Sequence, residues 1–188
     1  MARGHSAASD ALILPGSVVH IDAGADEDGY KSDIQRLAYV LRPGETVAPP
    51  EVVKAFETVR AANRASAAAL KPGATGTSVD AAGRRVVTGA GYPEYSHATG
   101  HPIGFFTHDL GPLLAPDWPD RYGKLGAYTI EKDQTFAIEP SLEVELPWML
   151  GGKVGFGLEE DYVVTETGSE PLGTPQESLI LIPSAPAT

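Results

Sequence analysis

The stretch Val19-His20-Ile21-Asp22-Ala23-Gly24, followed by Gly29-Tyr30-Lys31-Ser32-Asp33-Ile34-Gln35-Arg36, decides how this chain is read. Strand formers at Val18 to Ile21, launched by the turn Pro15-Gly16, predict a strand over Ser17–Ala23. A second strand is expected over Ile34–Leu41, ended by Arg42-Pro43-Gly44. Between them Ala25-Asp26-Glu27-Asp28-Gly29 has the composition of a hairpin turn. Paired strands can bring Asp22 and Asp33 face to face across the ladder, with both carboxylates aimed at one site. Acidic residues also flank turns everywhere, so the residues alone leave both readings open, and Asp26, Glu27 and Asp28 are read as turn residues only. A calcium loop with Gly29 at its sixth position fails, because its first and twelfth positions are Gly24 and Gln35.

Beyond the hairpin the period changes. Val52, Phe56, Val59, Ala62 and Ala69 or Leu70 fall near one helical face, between Pro49-Pro50 and Lys71-Pro72-Gly73. A second helix is expected from Ser78 to about Ala90, with Thr77 as its N-cap, Asp80 as an acidic partner of the positive helix end, and a stripe of Val79, Ala82 and Val86. Gly83 interrupts that helix and Gly91 stops it. Strands follow at Gln134–Glu139, Leu142–Leu146, Gly155–Val164 and Leu179–Ile182, with a surface connection at Ala115–Asp120. A hairpin, two helices and then several strands give an α+β class with an antiparallel sheet, since there is no βαβ alternation.

Composition narrows the partners. Over 188 residues, 14 Lys+Arg stand against 25 Asp+Glu, a net charge of −11 that argues against nucleic acid and anionic membrane surfaces. The absence of cysteine excludes disulfides, thiolate zinc sites and a cysteine nucleophile. No apolar run approaches the ~18 residues of a membrane span. The expectation is one catalytic-type domain over residues 1–188, cytoplasmic, handling a small or peptidic ligand.

The chemistry-bearing residues lie along the later strands. His97, His101 and His108 fall within twelve positions. Gly100, Pro102 and Gly104 break any helix there, so His97 and His101 are not the paired ligands of a helical zinc motif. Glu139 ends Thr135-Phe136-Ala137-Ile138, and Glu159 ends Gly155-Phe156-Gly157-Leu158. Carboxylates inside such runs are costly to bury unless paired or metal-bound. Each is also compatible with an outward-facing strand position. Two Asp, two Glu and one His together make an oxygen-rich set that suits manganese, cobalt or another divalent ion.

These motifs, in this order, resemble the pita-bread metallopeptidases: methionine aminopeptidase, aminopeptidase P and prolidase. The two opening stretches match the first ligand strands, and Gly100-His101-Pro102-Ile103-Gly104, Ile138-Glu139-Pro140 and Leu158-Glu159-Glu160 match the other three. The resemblance spans His5 to Gly168 and implies the pita-bread fold, an antiparallel sheet with covering helices. It also implies two divalent metal ions, manganese foremost and cobalt or zinc as alternatives, held by Asp22, Asp33, His101, Glu139 and Glu159, with Asp33 and Glu159 bridging. Glu139 becomes the proton shuttle to the leaving amine, and His108 the contact to the substrate carbonyl. His5 and His97 become substrate-pocket residues. His97, four before the ligand histidine, resembles the proline-specific branch, which implies cleavage of an Xaa-Pro bond at the N-terminus of a dipeptide or short peptide.

The chain departs from the pattern at Pro102, Ser141 and Asp133-Gln134, and at Gly157, where proline-specific members usually carry an arginine. The upstream helices and separate N-terminal domain of the family are not expected in it. An exposed apolar face should result, covered by homodimerisation or by a missing N-terminal piece. Two alternatives share the fold: a metal-free enzyme like creatinase, and a non-catalytic pita-bread binding module. The filled ligand set disfavours both, because carboxylates so close repel one another without a metal.

Overall fold

The computed structural model describes residues 10–149 and 152–184. The expected hairpin is present: β1 (Val18–Ala23) pairs antiparallel with β4 (Ile34–Val40). Its connection is a smaller hairpin of β2 (Asp26–Glu27) and β3 (Tyr30–Lys31), closed by Asp28-Gly29. Both turn residues have positive φ (52° and 89°), the twist that matches flanking strands in a two-residue turn. One register detail corrects the sequence reading. Asp22 lies opposite Gln35, while Ala23 lies opposite Ile34, so Asp33 is diagonal to Asp22 and not face to face with it. Both still belong to one face of the ladder, because the side-chain period is two.

The two helices follow as α1 (Pro50–Ala69) and α2 (Gly76–Gly89). Val52, Phe56, Val59 and Ala62 of α1 are fully buried, as their spacing predicts. They pack on Leu37 and Tyr39 of β4 and on Leu142, Leu146 and Phe156 from the later strands. Helix α2 departs from expectation at both its start and its stripe. Its N-cap is Thr75, not Thr77, in a reciprocal pair with Ser78. Its buried face is Gly76, Val79, Asp80, Gly83, Arg84 and Val87, rotated away from Ala82 and Val86. The cause is close helix packing: a Cβ on Gly83 would stand 2.3 Å from the Ser66 hydroxyl and 3.2 Å from the Ala62 carbonyl of α1. Glycine at that point lets the helices approach, and the contact sets the rotation.

A four-stranded sheet, in the order β10-β9-β6-β5, uses β5 (Gly100–Pro102), β6 (Thr135–Ile138), β9 (Glu160–Val164) and β10 (Ser169–Pro171). Strand β7 (Ser141–Glu145) pairs with β8 (Lys153–Gly157). The single strand expected over Gly155–Val164 is therefore two, broken at Leu158-Glu159. The register is nevertheless continuous across the break. Ile138 faces Glu160 and Ser141 faces Gly157, so β6–β7 and β8–β9 form one long hairpin bent where Glu139-Pro140 opposes Leu158-Glu159. Pro140 has no N–H to continue the ladder. At the same point Gln35 of β4 donates its backbone N–H to the Glu159 carbonyl at 3.2 Å, which joins the two sheets.

The last strand, β11 (Ile180–Ile182), falls inside the expected Leu179–Ile182 but pairs with β4 in parallel, an exception to the otherwise antiparallel pairings. Gln176 makes this docking possible, because its side-chain amide both accepts from the Leu37 N–H (2.9 Å) and donates to the Leu37 carbonyl (2.7 Å), like a strand residue. On the outer face of β1-β4-β11, Ile21, Ile180 and Ile182 are 53%, 50% and 39% exposed. Among the described residues no helix is long and apolar enough to cross a membrane.

Candidate metal centre

The bend in the long hairpin builds the site. Glu139 and Glu159 occupy opposed positions in the register where neither strand pairs normally. Gln35 brings β4 against Glu159, and with it Asp33 and the diagonal Asp22. On the other flank the Glu139 N–H donates to the Thr99 carbonyl at 2.7 Å, and His101 in β5 lies opposite Ala137 of β6. Five residues that the sequence reading singled out, from five separate stretches, thus converge.

His101 is the hub, with its Nε2 3.6 Å from Glu139 Oε1, 3.8 Å from Glu159 Oε1 and 3.9 Å from Asp33 Oδ2. Among the described residues, three overlapping sets keep their ligand atoms within 4.8 Å of one another: His101-Glu139-Glu159, Asp22-Asp33-Glu159 and Asp33-His101-His108. His108, expected as a substrate contact, is exposed and packs edge-on against the His101 ring at 4.1 Å, so it borders the same centre. Asp22 is exposed because β1 is an edge strand.

The electrostatics of the cluster are unfavourable as they stand. Burial first, then the Asp33 and Asp22 carboxylates, push Glu139 up to about 8. Glu159 is pushed up to about 10 by burial, then by Glu139, Asp33, Asp22 and Asp161. Asp161, on which the Asp33 N–H donates at 2.9 Å, is raised to about 6, chiefly by burial. Glu159 Oε1 and Asp161 Oδ1 are buried, with no hydrogen-bond partner among the described residues. A buried carboxylate oxygen left so is costly unless a cation meets it. The donor set of carboxylate oxygens and one imidazole nitrogen, crowded and under-satisfied, fits one or two hard-to-borderline divalent ions.

His97 lies beside this centre and outside all three sets. Its Nδ1 is 2.7 Å from the Ala98 carbonyl, which can only accept, so the ring donates there and its Nε2 lone pair receives the Ser141 hydroxyl at 2.6 Å. Burial, with Arg84 and Arg121 nearby, holds this imidazole below its ordinary value and therefore neutral. His5 lies outside the described residues.

Sequence reasoning missed three supports. Asp80 does not serve the end of α2. It is buried, holds Arg84 through two bonds of 2.8 and 2.9 Å, and accepts from the Thr99 N–H and hydroxyl. Arg84 in turn donates to the carbonyls of Tyr95 and His97, so α2 pins the loop that leads to His101. The i, i+4 spacing of Asp80 and Arg84 was the available signal. Arg36 bonds the Glu159 carbonyl (3.0 Å) and Glu160 (3.0 Å), and Gln35 donates to Glu139 Oε2 at 3.4 Å.

The model for metallopeptidase family M24 matches residues 2–166. The Xaa-Pro dipeptidase of Lactobacillus delbrueckii subsp. lactis is 28% identical over 183 residues, 97% of this chain and 44% of its own length. The X-Pro aminopeptidase of Thermotoga maritima superimposes with a TM-score of 0.78 at 30% identity, over 95% of this chain and 45% of that one. A prolidase from Thermococcus sibiricus does so with 0.78 at 29% identity, over 95% and 43%. The chain thus spans less than half the length of these relatives, and its α+β architecture is their pita-bread fold.

Proposed function

This chain belongs to metallopeptidase family M24, and from that premise we propose that it is the metal-bearing part of a hydrolase acting on the Xaa-Pro bond at the N-terminus of a dipeptide or short peptide. The observation that carries the proposal is the buried convergence of Asp33, His101, Glu139 and Glu159, with Asp22 at its edge and Glu159 Oε1 left without a hydrogen-bond partner. Those five residues would hold the two divalent ions. Once bound there, divalent ions supply Lewis acidity and a water that ionises near neutral pH.

The chain's own residues do the rest. Glu139 takes the proton released by the attacking water and delivers it to the departing amine. His108, exposed and touching His101, donates to the carbonyl oxygen as negative charge develops on it. Ser141 and His97 line the approach beside Glu139. The Xaa-Pro preference rests on the named activities of the relatives and on His97. Manganese is the first choice of ion.

The test is Mn²⁺-dependent release of the N-terminal residue from an Xaa-Pro dipeptide and an Xaa-Pro-Xaa tripeptide, beside calorimetric titration of the metal-free chain. Cleavage of the dipeptide alone assigns a dipeptidase, and cleavage of the tripeptide an aminopeptidase. A chain that takes up no divalent ion sinks the proposal.

A further inference from the structure

Glu139 has two carboxylate oxygens, and the structure treats them differently. Oε1 faces His101 Nε2 at 3.6 Å, inside the ligand cluster. Oε2 accepts from the side-chain amide of Gln35, 3.4 Å away. An amide that donates through Nε2 presents its Oε1 on the other side, and there His20 Nε2 stands 2.9 Å away. That oxygen can only accept, so His20 carries its proton on Nε2. The resulting chain runs one way, from the His20 N–H to Gln35 and from the Gln35 N–H to Glu139. Against an ionised Glu139, as metal binding requires, the reverse orientation would set the amide oxygen against a carboxylate.

Two further observations mark this arrangement as built. His20 and Gln35 are diagonal neighbours on the face of β1–β4 that also carries Asp22, and the Gln35 backbone is bonded to the Glu159 carbonyl, so Gln35 touches both opposed glutamates. Gly157 makes the room. A Cβ at residue 157 would stand 2.4 Å from Gln35 Oε1 and 3.2 Å from His20 Nε2, and Gly157 is not among the glycines with positive φ, so space is the reason for glycine here.

We propose that His20 and Gln35 are a positioning pair for Glu139, fixing Oε2 so that Oε1 alone is presented to the metal site. The inference rests on the function proposed above. It assigns a role to His20, Gln35 and Gly157 that ligand spacing does not predict.

The experiment has a metal-free arm and a kinetic arm. In the metal-free chain at alkaline pH, nitrogen NMR should find the His20 ring in the Nε2–H form, and Gln35→Leu should shift the ring towards a mixture. With Mn²⁺ and an Xaa-Pro substrate, His20→Leu and Gly157→Ala should each lower kcat about tenfold, within the range found for outer partners of metal ligands. KM should hold and the melting temperature of His20→Leu should not move, since His20 is exposed. His20→Gln, which keeps an N–H donor, should recover most of the loss. A ring protonated on Nδ1, or a ring unaffected by Gln35→Leu, overturns the pair. So does a His20→Leu enzyme with the parent's kcat. If the parent binds no ion, the functional reading fails while the tautomer measurement still decides the pair.

Discussion

Two buried polar clusters lie next to each other in this molecule and are built on opposite terms. In the first, Asp80 receives two bonds from Arg84 and two from Thr99, and Arg84 also donates to the Tyr95 and His97 carbonyls. In the second, reached through the Glu139–Thr99 backbone bond, carboxylates crowd one imidazole, and oxygens of Glu159 and Asp161 have no hydrogen-bond partner. Burying charge carries a desolvation cost in both places. Among the described residues, the first cluster is answered by partners from the chain, and the second leaves oxygens that a cation could meet. Burial and charge alone do not separate structural from functional acids. Completeness of partnering does.

That contrast can be broken experimentally. The largest effect belongs to the first cluster: Arg84→Ala strands the Asp80 charge and should cost about 3–5 kcal/mol in denaturant unfolding. A loss under about 1 kcal/mol would mean the pair is not holding the loop, since ordinary surface changes stay near that scale. Second is metal addition, which at 100 times Kd should stabilise the chain by about 2.7 kcal/mol for one ion. Glu159→Gln should abolish that gain.

The same substitution should also stabilise the metal-free chain at alkaline pH, by at least the ~1.4 kcal/mol that one pKa unit represents. The sign follows from Glu139 at about 8 and Glu159 at about 10, both above their ordinary 4.5. The folded state keeps protons that the unfolded chain releases, so this stabilisation is full below pH 4.5 and is lost as pH climbs through 8 to 10. Thermal scans without metal should show falling stability from pH 6 to pH 10, with the slope reduced when Mn²⁺ is present. A flat metal-free profile would contradict the crowding. The smallest effect is Ser141→Ala, which removes one hydroxyl from His97 and should cost about 1 kcal/mol, read by the same unfolding assay.

What the sequence disclosed was local. Hairpin strands, the α1 stripe and the five motifs around Asp22, Asp33, His101, Glu139 and Glu159 could each be read from a short window, and the structure draws those five together. What it concealed depended on distant partners. The rotation of α2 follows from Ser66 and Ala62 on another helix, and the offset of Asp22 from Asp33 follows from a register set by an inserted two-strand hairpin. The break at Leu158-Glu159 requires Gln35 to arrive from β4. Gln176 behaves as a strand residue through its side chain, which no backbone propensity encodes.

The bonds that close the site also have a timetable. Asp33 waits for Asp161, which lies 128 positions later, and Leu37 waits for Gln176, 139 later. At a synthesis rate of about 5–20 residues per second, the ligand-bearing hairpin precedes its partners by roughly 7–28 s. During that interval its carboxylates are hydrated and far from their eventual neighbours, and contacts of such separation form late. The centre therefore does not exist on the growing chain. Any ion it takes is chosen only after translation has delivered the strands that make the choice possible.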